Sequence, residues 1–89
     1  MVIKTKNIII GLEKKGFLKT MGDHIYLRFH DTLKRKSEIK TKISHGAKEY
    51  DDILLRLMAK QLKINKNQLK DLINCPLSQE NYEKLIQGK

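Results

Sequence analysis

Residues 24–30 read His24-Ile25-Tyr26-Leu27-Arg28-Phe29-His30, and this stretch decides the fold. Its apolar residues alternate with imidazole, phenol and guanidinium side chains. A period of two is typical of a β-strand that buries one face and exposes the other. The stretch therefore predicts a strand with four polar side chains on its exposed face, namely His24, Tyr26, Arg28 and His30.

The flanking segments predict two further strands. Residues 17–21 form a short apolar-rich run that ends at the turn residues Gly22-Asp23. Residues 38–43 repeat the alternation of apolar and polar side chains. We therefore predict an antiparallel meander with one solvated face. The loop between the second and third strands carries three basic residues, namely Lys34, Arg35 and Lys36.

Helices are predicted before and after these strands. Residues 5–15 can form a helix capped by Thr5, and Gly16 stands where a left-handed residue ends a helix. Residues 51–63 form a second helix, and Asp51 and Asp52 suit the positive end of its dipole. We expect its buried stripe to consist of Ile53, Leu54, Leu57, Met58 and Leu62.

Two short helices are predicted at the end of the chain. Asn65 can cap the first, which Pro76 stops because proline cannot continue the hydrogen-bond ladder. Ser78 can cap the last helix, which contains Tyr82. The predicted class is α+β, with the order α-β-β-β-α, a three-stranded antiparallel sheet, and two added helices. The 89 residues suit a single domain, 1–89.

The positive charge is concentrated in the first half of the chain. Of the net charge of +9, residues 1–48 contribute +8, from 12 Lys or Arg and 4 Asp or Glu. Residues 49–89 contribute +1, from 7 basic and 6 acidic residues. A localised basic surface attracts nucleic acid first, and an anionic membrane surface or an acidic protein second. A lysine-rich surface that is merely solvated is the remaining alternative.

Cysteine content and apolar runs predict where the protein resides. The single cysteine, Cys75, allows no intrachain disulfide and does not indicate secretion, and we expect it to be a packed small residue. Residues 8–10 are too short an apolar run for a signal peptide. No run approaches the ~20 residues of a membrane span. We therefore expect a cytoplasmic protein that does not engage a membrane.

The predicted polar face suits RNA in three ways. Lys and Arg side chains hold phosphates, and Tyr26 can stack on a base. A histidine can move the 2′-hydroxyl proton or protonate a leaving oxygen, which phosphodiester cleavage requires. The alternative is that the histidines are incidental surface residues. The predicted RNA-binding residues are Tyr26, Arg28, His30, Lys34, Arg35, Lys36, Lys40 and Lys42.

Other kinds of site have little support in the sequence. The spacing of the three histidines and Cys75 matches no compact pair of zinc ligands, so we expect no metal and no cofactor. No phosphate-binding glycine loop or nucleophile elbow is present. A non-catalytic RNA-binding module and a basic interaction protein for an acidic partner remain open as alternatives to a ribonuclease.

Several of these segments resemble the HicA family of toxin–antitoxin messenger-RNA interferases. The resemblance rests on Lys14-Lys15-Gly16-Phe17, on Gly22-Asp23-His24 with the strand after it, and on Ile43-Ser44-His45-Gly46. It covers roughly residues 4–64. We therefore divide the chain into a HicA-like core, 1–64, and a C-terminal helical extension, 65–89.

The resemblance implies a fold like that of the double-stranded-RNA-binding domain and endoribonuclease activity without a metal. The functional histidine of the family falls on His24, and Asp23 and His45 are auxiliary candidates. A HicB-like antitoxin protein is expected to cover His24 and the basic face.

The chain departs from the family pattern in three places. The family commonly has Ser where this chain has Asp23, and often has Pro where this chain has Ser44. Residues 65–89 extend beyond the usual toxin. This extension could complete the core, pack on a second copy in a homo-oligomer, or bind the antitoxin.

Overall fold

The computed structural model describes residues 2–74 and 76–87. It is an α+β structure with a three-stranded antiparallel sheet and four helices, as the hydrophobic pattern predicts. A two-residue strand pair that the sequence did not indicate joins the start of the chain to the segment before the second helix. The elements are β1 Ile3–Lys4, α1 Thr5–Glu13, β2 Phe17–Met21, β3 Ile25–His30, β4 Lys36–Ile43, β5 Glu49–Tyr50, α2 Asp52–Gln61, α3 Lys66–Asn74 and α4 Gln79–Gln87.

The main sheet has the order β2-β3-β4, with β3 at its centre. Leu27 and Phe29 of β3 are buried, as are Phe17 of β2 and Ile43 of β4. The predicted alternation of residues 24–30 is therefore confirmed. The strand begins one residue later than predicted, at Ile25, because the preceding residues form the turn from β2.

The register of β3 and β4 changes between Arg28 and His30. Arg28 lies opposite Lys40, and His30 lies opposite Lys36, so β4 uses two more residues than β3 over this step. An insertion of two residues keeps the period-two alternation in phase. Lys36 therefore belongs to β4 and not to the loop, and it lies on the same face as Lys40 and Lys42.

Helix α1 begins without the predicted side-chain cap. Lys4 is the N-terminal flanking residue, and Thr5 is buried in the first turn. The Thr5 N–H donates to the Lys48 carbonyl at 3.0 Å, so the adjoining loop satisfies this backbone group. The predicted role of Gly16 is confirmed, since its φ of 94° lies in the left-handed region.

Helix α2 buries a different stripe from the predicted one. The Asp51 carboxylate accepts from the Leu54 N–H at 3.0 Å, which caps the helix start. Ile53 and Leu57 are 68% and 55% exposed, and Leu54 is also exposed, so these three predictions are wrong. The stripe that packs on the sheet and on α3 follows the spacing i, i+3, i+4, i+7, and consists of Leu55, Met58, Ala59 and Leu62.

The C-terminal extension completes the core. Asn65 and Gln68 each accept from the other's backbone N–H, at 2.8 and 3.0 Å, in a reciprocal cap. The Ser78 hydroxyl accepts from the Asn81 N–H, as predicted for the last helix. The core residues that this extension supplies are Leu69, Leu72, Ile73 and Tyr82. The packing predicted for Cys75 lies outside the described residues.

No helix within residues 2–74 and 76–87 is long and apolar enough to cross a membrane.

Candidate nucleic-acid interface

The solvated face of the sheet gathers the predicted β3 and β4 side chains. Tyr26 lies directly opposite Lys42, and Arg28 lies opposite Lys40. Residues paired across antiparallel strands project to the same side, so these four groups form one continuous surface. Both lysines are exposed, whereas the β3 side chains are half-buried. This surface, which we call the basic face, consists of Tyr26, Arg28, Lys36, Lys40 and Lys42.

His24 lies in the turn at one end of the basic face. Its side chain is 34% exposed, and its ring meets the Tyr26 ring edge-on at a centroid distance of 6.2 Å. Its Nδ1 atom is buried and has no hydrogen-bond partner among the described residues. The nearest charged atom, Asp23 Oδ2, is 3.7 Å away, which is beyond hydrogen-bond distance.

The Asp23 carboxylate is held by a tyrosine and not by the histidine. The Tyr26 hydroxyl donates to Asp23 Oδ1 at 2.8 Å. This hydrogen bond is the main cause that lowers the pKa of Asp23, and it raises the pKa of Tyr26. Asp23 therefore remains ionised at neutral pH, where its negative charge lies beside the imidazole of His24.

His45 reaches the same turn from the loop after β4. Its Nε2 lies 2.8 Å from the Gly22 carbonyl oxygen. Since a carbonyl oxygen only accepts, Nε2 must carry the hydrogen. The Gly22 N–H in turn donates to the His24 carbonyl at 3.0 Å. The structure thus links His45 to His24 through the turn backbone.

Arg28 is fixed within the basic face by the irregular segment of β4. Its Nη1 donates to the Ser37 carbonyl at 2.9 Å. The Ser37 hydroxyl donates to the Phe29 carbonyl at 2.8 Å and accepts from the Ile39 N–H at 3.1 Å. Ser37 therefore satisfies backbone groups that the register change removes from the ladder, and it positions Arg28.

His30 lies at the opposite end of β3 from His24. Six residues of extended chain separate the two, which is roughly 20 Å at the usual rise of a strand. Its Nδ1 is 3.2 Å from the Arg28 carbonyl, and its own carbonyl accepts from Gln79 Nε2 at 3.0 Å. His30 is therefore bound into local structure and is too distant to share one reaction centre with His24.

The predicted basic loop is organised by an aspartate. Asp31 Oδ1 accepts from the backbone N–H groups of Leu33 and Arg35, and Oδ2 pairs with Arg35 Nε at 2.8 Å. These contacts, the Arg35 N–H first, lower the pKa of Asp31. Arg35 has part of its charge neutralised there, whereas Lys34 is exposed and has a φ of 62°.

A groove follows β4 from the basic face round to the end of α2. Its volume is about 590 Å³. Gln61 and Lys63 belong to it, although the sequence prediction missed both. No periodicity marks them, because they end a helix and enter a turn, and only the packing of α2 on β4 brings them to the sheet. The groove is lined by Tyr26, Glu38, Ile39, Lys40, Thr41, Lys42, Gln61 and Lys63.

Across the described parts of the chain, no three His, Cys, Asp or Glu side chains are placed to hold a metal ion. Comparisons with protein-family models, with curated proteins and with solved structures find no match for this chain. The interface is therefore defined by its own geometry, which is a turn histidine beside a basic face and a groove that continues from that face.

Proposed function

We propose that the protein is an endoribonuclease of the HicA type, a toxin that cleaves messenger RNA in the cytoplasm. The observation that carries the proposal is the half-exposed imidazole of His24 at the end of the basic face. The Tyr26 ring meets it edge-on, and the lysine and arginine groups of the basic face continue from Tyr26 along the same side of the sheet. RNA cleavage requires at least a group that can transfer a proton and a surface beside it that binds phosphate.

The fold supports this proposal. The order α1-β2-β3-β4-α2, with Leu27 and Phe29 buried under the helices and the basic face left open, is compatible with the proposed fold like that of the double-stranded-RNA-binding domain. In the proposed fold the helices stabilise the sheet and the exposed strands receive the ligand. Residues 65–87 add to the core of this layout.

RNA binding follows from the chemistry of the basic face. Arg28 and Lys40 lie opposite each other and present adjacent cations to successive phosphates. The Tyr26 ring, between His24 and Lys42, can stack on an unpaired base. The ammonium groups of exposed lysines release counterions when they bind RNA, so the affinity must fall as salt rises.

The proposed reaction is attack of a 2′-hydroxyl on its own phosphodiester. The His24 imidazole accepts the 2′-hydroxyl proton, the 2′ oxygen bonds to phosphorus, and the bond from phosphorus to the 5′ oxygen breaks. The leaving oxygen takes a proton, from protonated His24 or from water, and the products are a 2′,3′-cyclic phosphate and a 5′-hydroxyl. Lys42, which lies opposite Tyr26 at the His24 end of the basic face, stabilises the negative charge that develops on the phosphoryl oxygens, and Arg28 and Lys40 hold the neighbouring phosphates.

Asp23 and His45 act in this proposal through His24. The Asp23 carboxylate lies 3.7 Å from His24 Nδ1, too far for a hydrogen bond, and acts by holding the Tyr26 ring that meets His24 edge-on. His45 holds the turn that carries His24. Both are positioning residues, since neither needs to touch the RNA.

The proposed natural partner is an antitoxin protein. The charge of the basic face requires an acidic covering surface, and a chain that covers His24 would block the reaction and RNA entry together. Binding should therefore inhibit cleavage in proportion to occupancy.

A non-catalytic RNA-binding module is the second candidate, and one observation favours it. The buried Nδ1 of His24 lacks a hydrogen-bond partner among the described residues, so no hydrogen bond there fixes the tautomer that catalysis needs. Under this alternative, RNA binds to the basic face with the same salt dependence but is not cut.

The test compares RNA cleavage by the purified wild type, His24→Ala and His30→Ala. General acid–base catalysis contributes about 10²–10⁴-fold, so His24→Ala should lose that much activity. His30→Ala is the matched control: His30 lies opposite Lys36 at the far end of β3, so its loss can weaken RNA binding, but kcat should stay within a few-fold of wild type. Product ends should carry a 2′,3′-cyclic phosphate, and cleavage should persist in chelator. Equal rates for the wild type and His24→Ala would refute the proposal.

A further inference from the structure

The groove along β4 differs from the basic face because it wraps round the edge of the sheet. Lys40 and Lys42 line it from the face, and Lys63 lines it from the turn between α2 and α3. Glu38 is the one acidic residue that lines it, so the groove is net positive. Its volume of about 590 Å³ lies within the ~300–1,000 Å³ of ordinary small-molecule sites, which a nucleotide unit fits.

The floor of the groove carries polar groups that suit phosphate. Strand β4 is at the edge of the sheet, so one side of its backbone has no neighbouring strand in the described chain. The Thr41 hydroxyl donates to Gln61 Oε1 and fixes that side chain. Oε1 is the acceptor in this bond, so the bond does not use the two Nε2 donors of Gln61.

Lys63 stands at a backbone position that normally favours glycine. Its φ is 66°, in the left-handed region, directly after Leu62, the residue that flanks the C-terminus of α2. The Ile64 N–H donates to the Ala59 carbonyl at 3.0 Å, which completes the usual C-terminal motif of a helix. A lysine in this left-handed conformation is strained relative to glycine, and it places the Lys63 side chain in the lining of the groove.

We propose that this groove binds the phosphate backbone of single-stranded RNA and continues the RNA path from the basic face to the α2–α3 turn. Lys63 binds a phosphate there, Gln61 donates a hydrogen bond to the backbone, and Tyr26 stacks on a base at the groove entrance. An unpaired strand is the form expected, because only an unstacked base can stack on the Tyr26 ring. The inference rests on the proposed function, since it assigns part of the substrate to a second surface.

The test separates charge from stability at one position. Lys63→Gly removes the ammonium group and relieves the left-handed strain, whereas Lys70→Gln removes one charge from the exposed side of α3. Binding is measured with a single-stranded 2′-O-methyl RNA, which the proposed reaction cannot cleave. Lys63→Gly should bind several-fold more weakly, with a salt slope smaller by about 0.7, as for one lost phosphate contact. A thermal melt of Lys63→Gly shows that the variant is folded at the temperature of the binding measurement, and Lys70→Gln should bind like the wild type.

The amide signals of Gln61 and Lys63 in NMR spectra of the wild type should shift when this RNA is added, and a duplex of the same sequence should not shift them. Unchanged affinity of Lys63→Gly, or equal shifts with the duplex, would overturn the groove. If poly-glutamate bound in the groove and the RNA did not, the groove would be a peptide site, and this result would also overturn the proposal. If the wild type cleaves RNA and Lys63→Gly binds RNA normally, only this inference is wrong. If the wild type neither binds nor cleaves RNA, the proposed function is wrong as well.

Discussion

The Nε2 atom of His45 and the carbonyl oxygen of Gly22 are 2.8 Å apart, and this contact joins the loop after β4 to the turn that carries His24. The two residues are distant in sequence, so this hydrogen bond ties two separate loops together at the end of the sheet where the proposed reaction occurs. A histidine that touches only the turn backbone affects chemistry through position.

His45→Ala should therefore lower kcat more than it raises KM. Loss of the hydrogen bond frees the turn, and misplacement by about 1 Å can cost on the order of 10²-fold in rate. Stability should fall by only about 0.5–1.5 kcal/mol, the usual net worth of one hydrogen bond. His45→Gln can still donate to Gly22 and should recover most of the rate. Steady-state kinetics and thermal melts of both variants are the measurement, and equal kcat for all three proteins would contradict it.

The Asp23–Tyr26 hydrogen bond predicts an acid-sensitive turn. Because this bond lowers the pKa of Asp23, its stabilisation is complete above the ordinary value near 3.9 and is lost as pH falls through the lowered value. An NMR titration of the carboxyl carbon should place the Asp23 midpoint below 3.9. Tyr26→Phe should raise that midpoint toward the ordinary value. A midpoint at or above the ordinary value in the wild type would show that the hydrogen bond is absent in solution.

The sheet could be predicted because its signal is local. The alternation of Ile25, Leu27 and Phe29 with polar residues depends only on the two-residue repeat of a strand, which no distant contact alters. The caps at Asn65 and Ser78 are equally local, since each side chain reaches a backbone N–H three residues ahead.

The predictions that failed in α2 depend on distant partners. Helix α2 carries apolar residues on more than one side, and only its packing on β4 and α3 decides that Leu55 is buried while Ile53 and Leu57 are exposed. Ala59 belongs to the buried stripe, but its side chain is small, so it does not reveal the stripe when only large apolar residues are considered. Lys63 was missed for the same reason, because a turn residue has no periodicity.

Close contact between α1 and α3 predicts an asymmetric response to two Gly→Ala substitutions. A Cβ at Gly11 would lie 2.5 Å from the Ile73 carbonyl oxygen and 2.9 Å from its Cα, and this backbone cannot yield cheaply. Gly11→Ala should therefore cost about 1–3 kcal/mol or more. At Gly46 an added Cβ meets nothing within 4 Å, so Gly46→Ala should be neutral or slightly stabilising. Urea unfolding of both variants measures the difference, and equal midpoints would disprove the close approach.

Tyr82 predicts how strongly the C-terminal extension stabilises the core. Its ring is fully buried and meets Phe29 edge-on at 4.9 Å, and its hydroxyl donates to the Leu62 carbonyl at 2.8 Å. Tyr82→Phe keeps the ring and should cost about 1 kcal/mol for the lost hydrogen bond. Tyr82→Ala should cost about 3–5 kcal/mol, which is a large share of the stability of a domain this small.

The same tyrosine should also limit stability in alkali. Burial raises the pKa of the Tyr82 hydroxyl well above its ordinary value near 10, so the folded state keeps the proton that the unfolded chain releases. The stabilisation from this protonated hydroxyl is complete below about pH 10 and falls as pH rises beyond it. Unfolding midpoints measured from about pH 8 to 11.5 should therefore decline less steeply for Tyr82→Phe than for the wild type. Parallel declines would mean that the hydroxyl ionises freely, and that α4 does not seal it against the core.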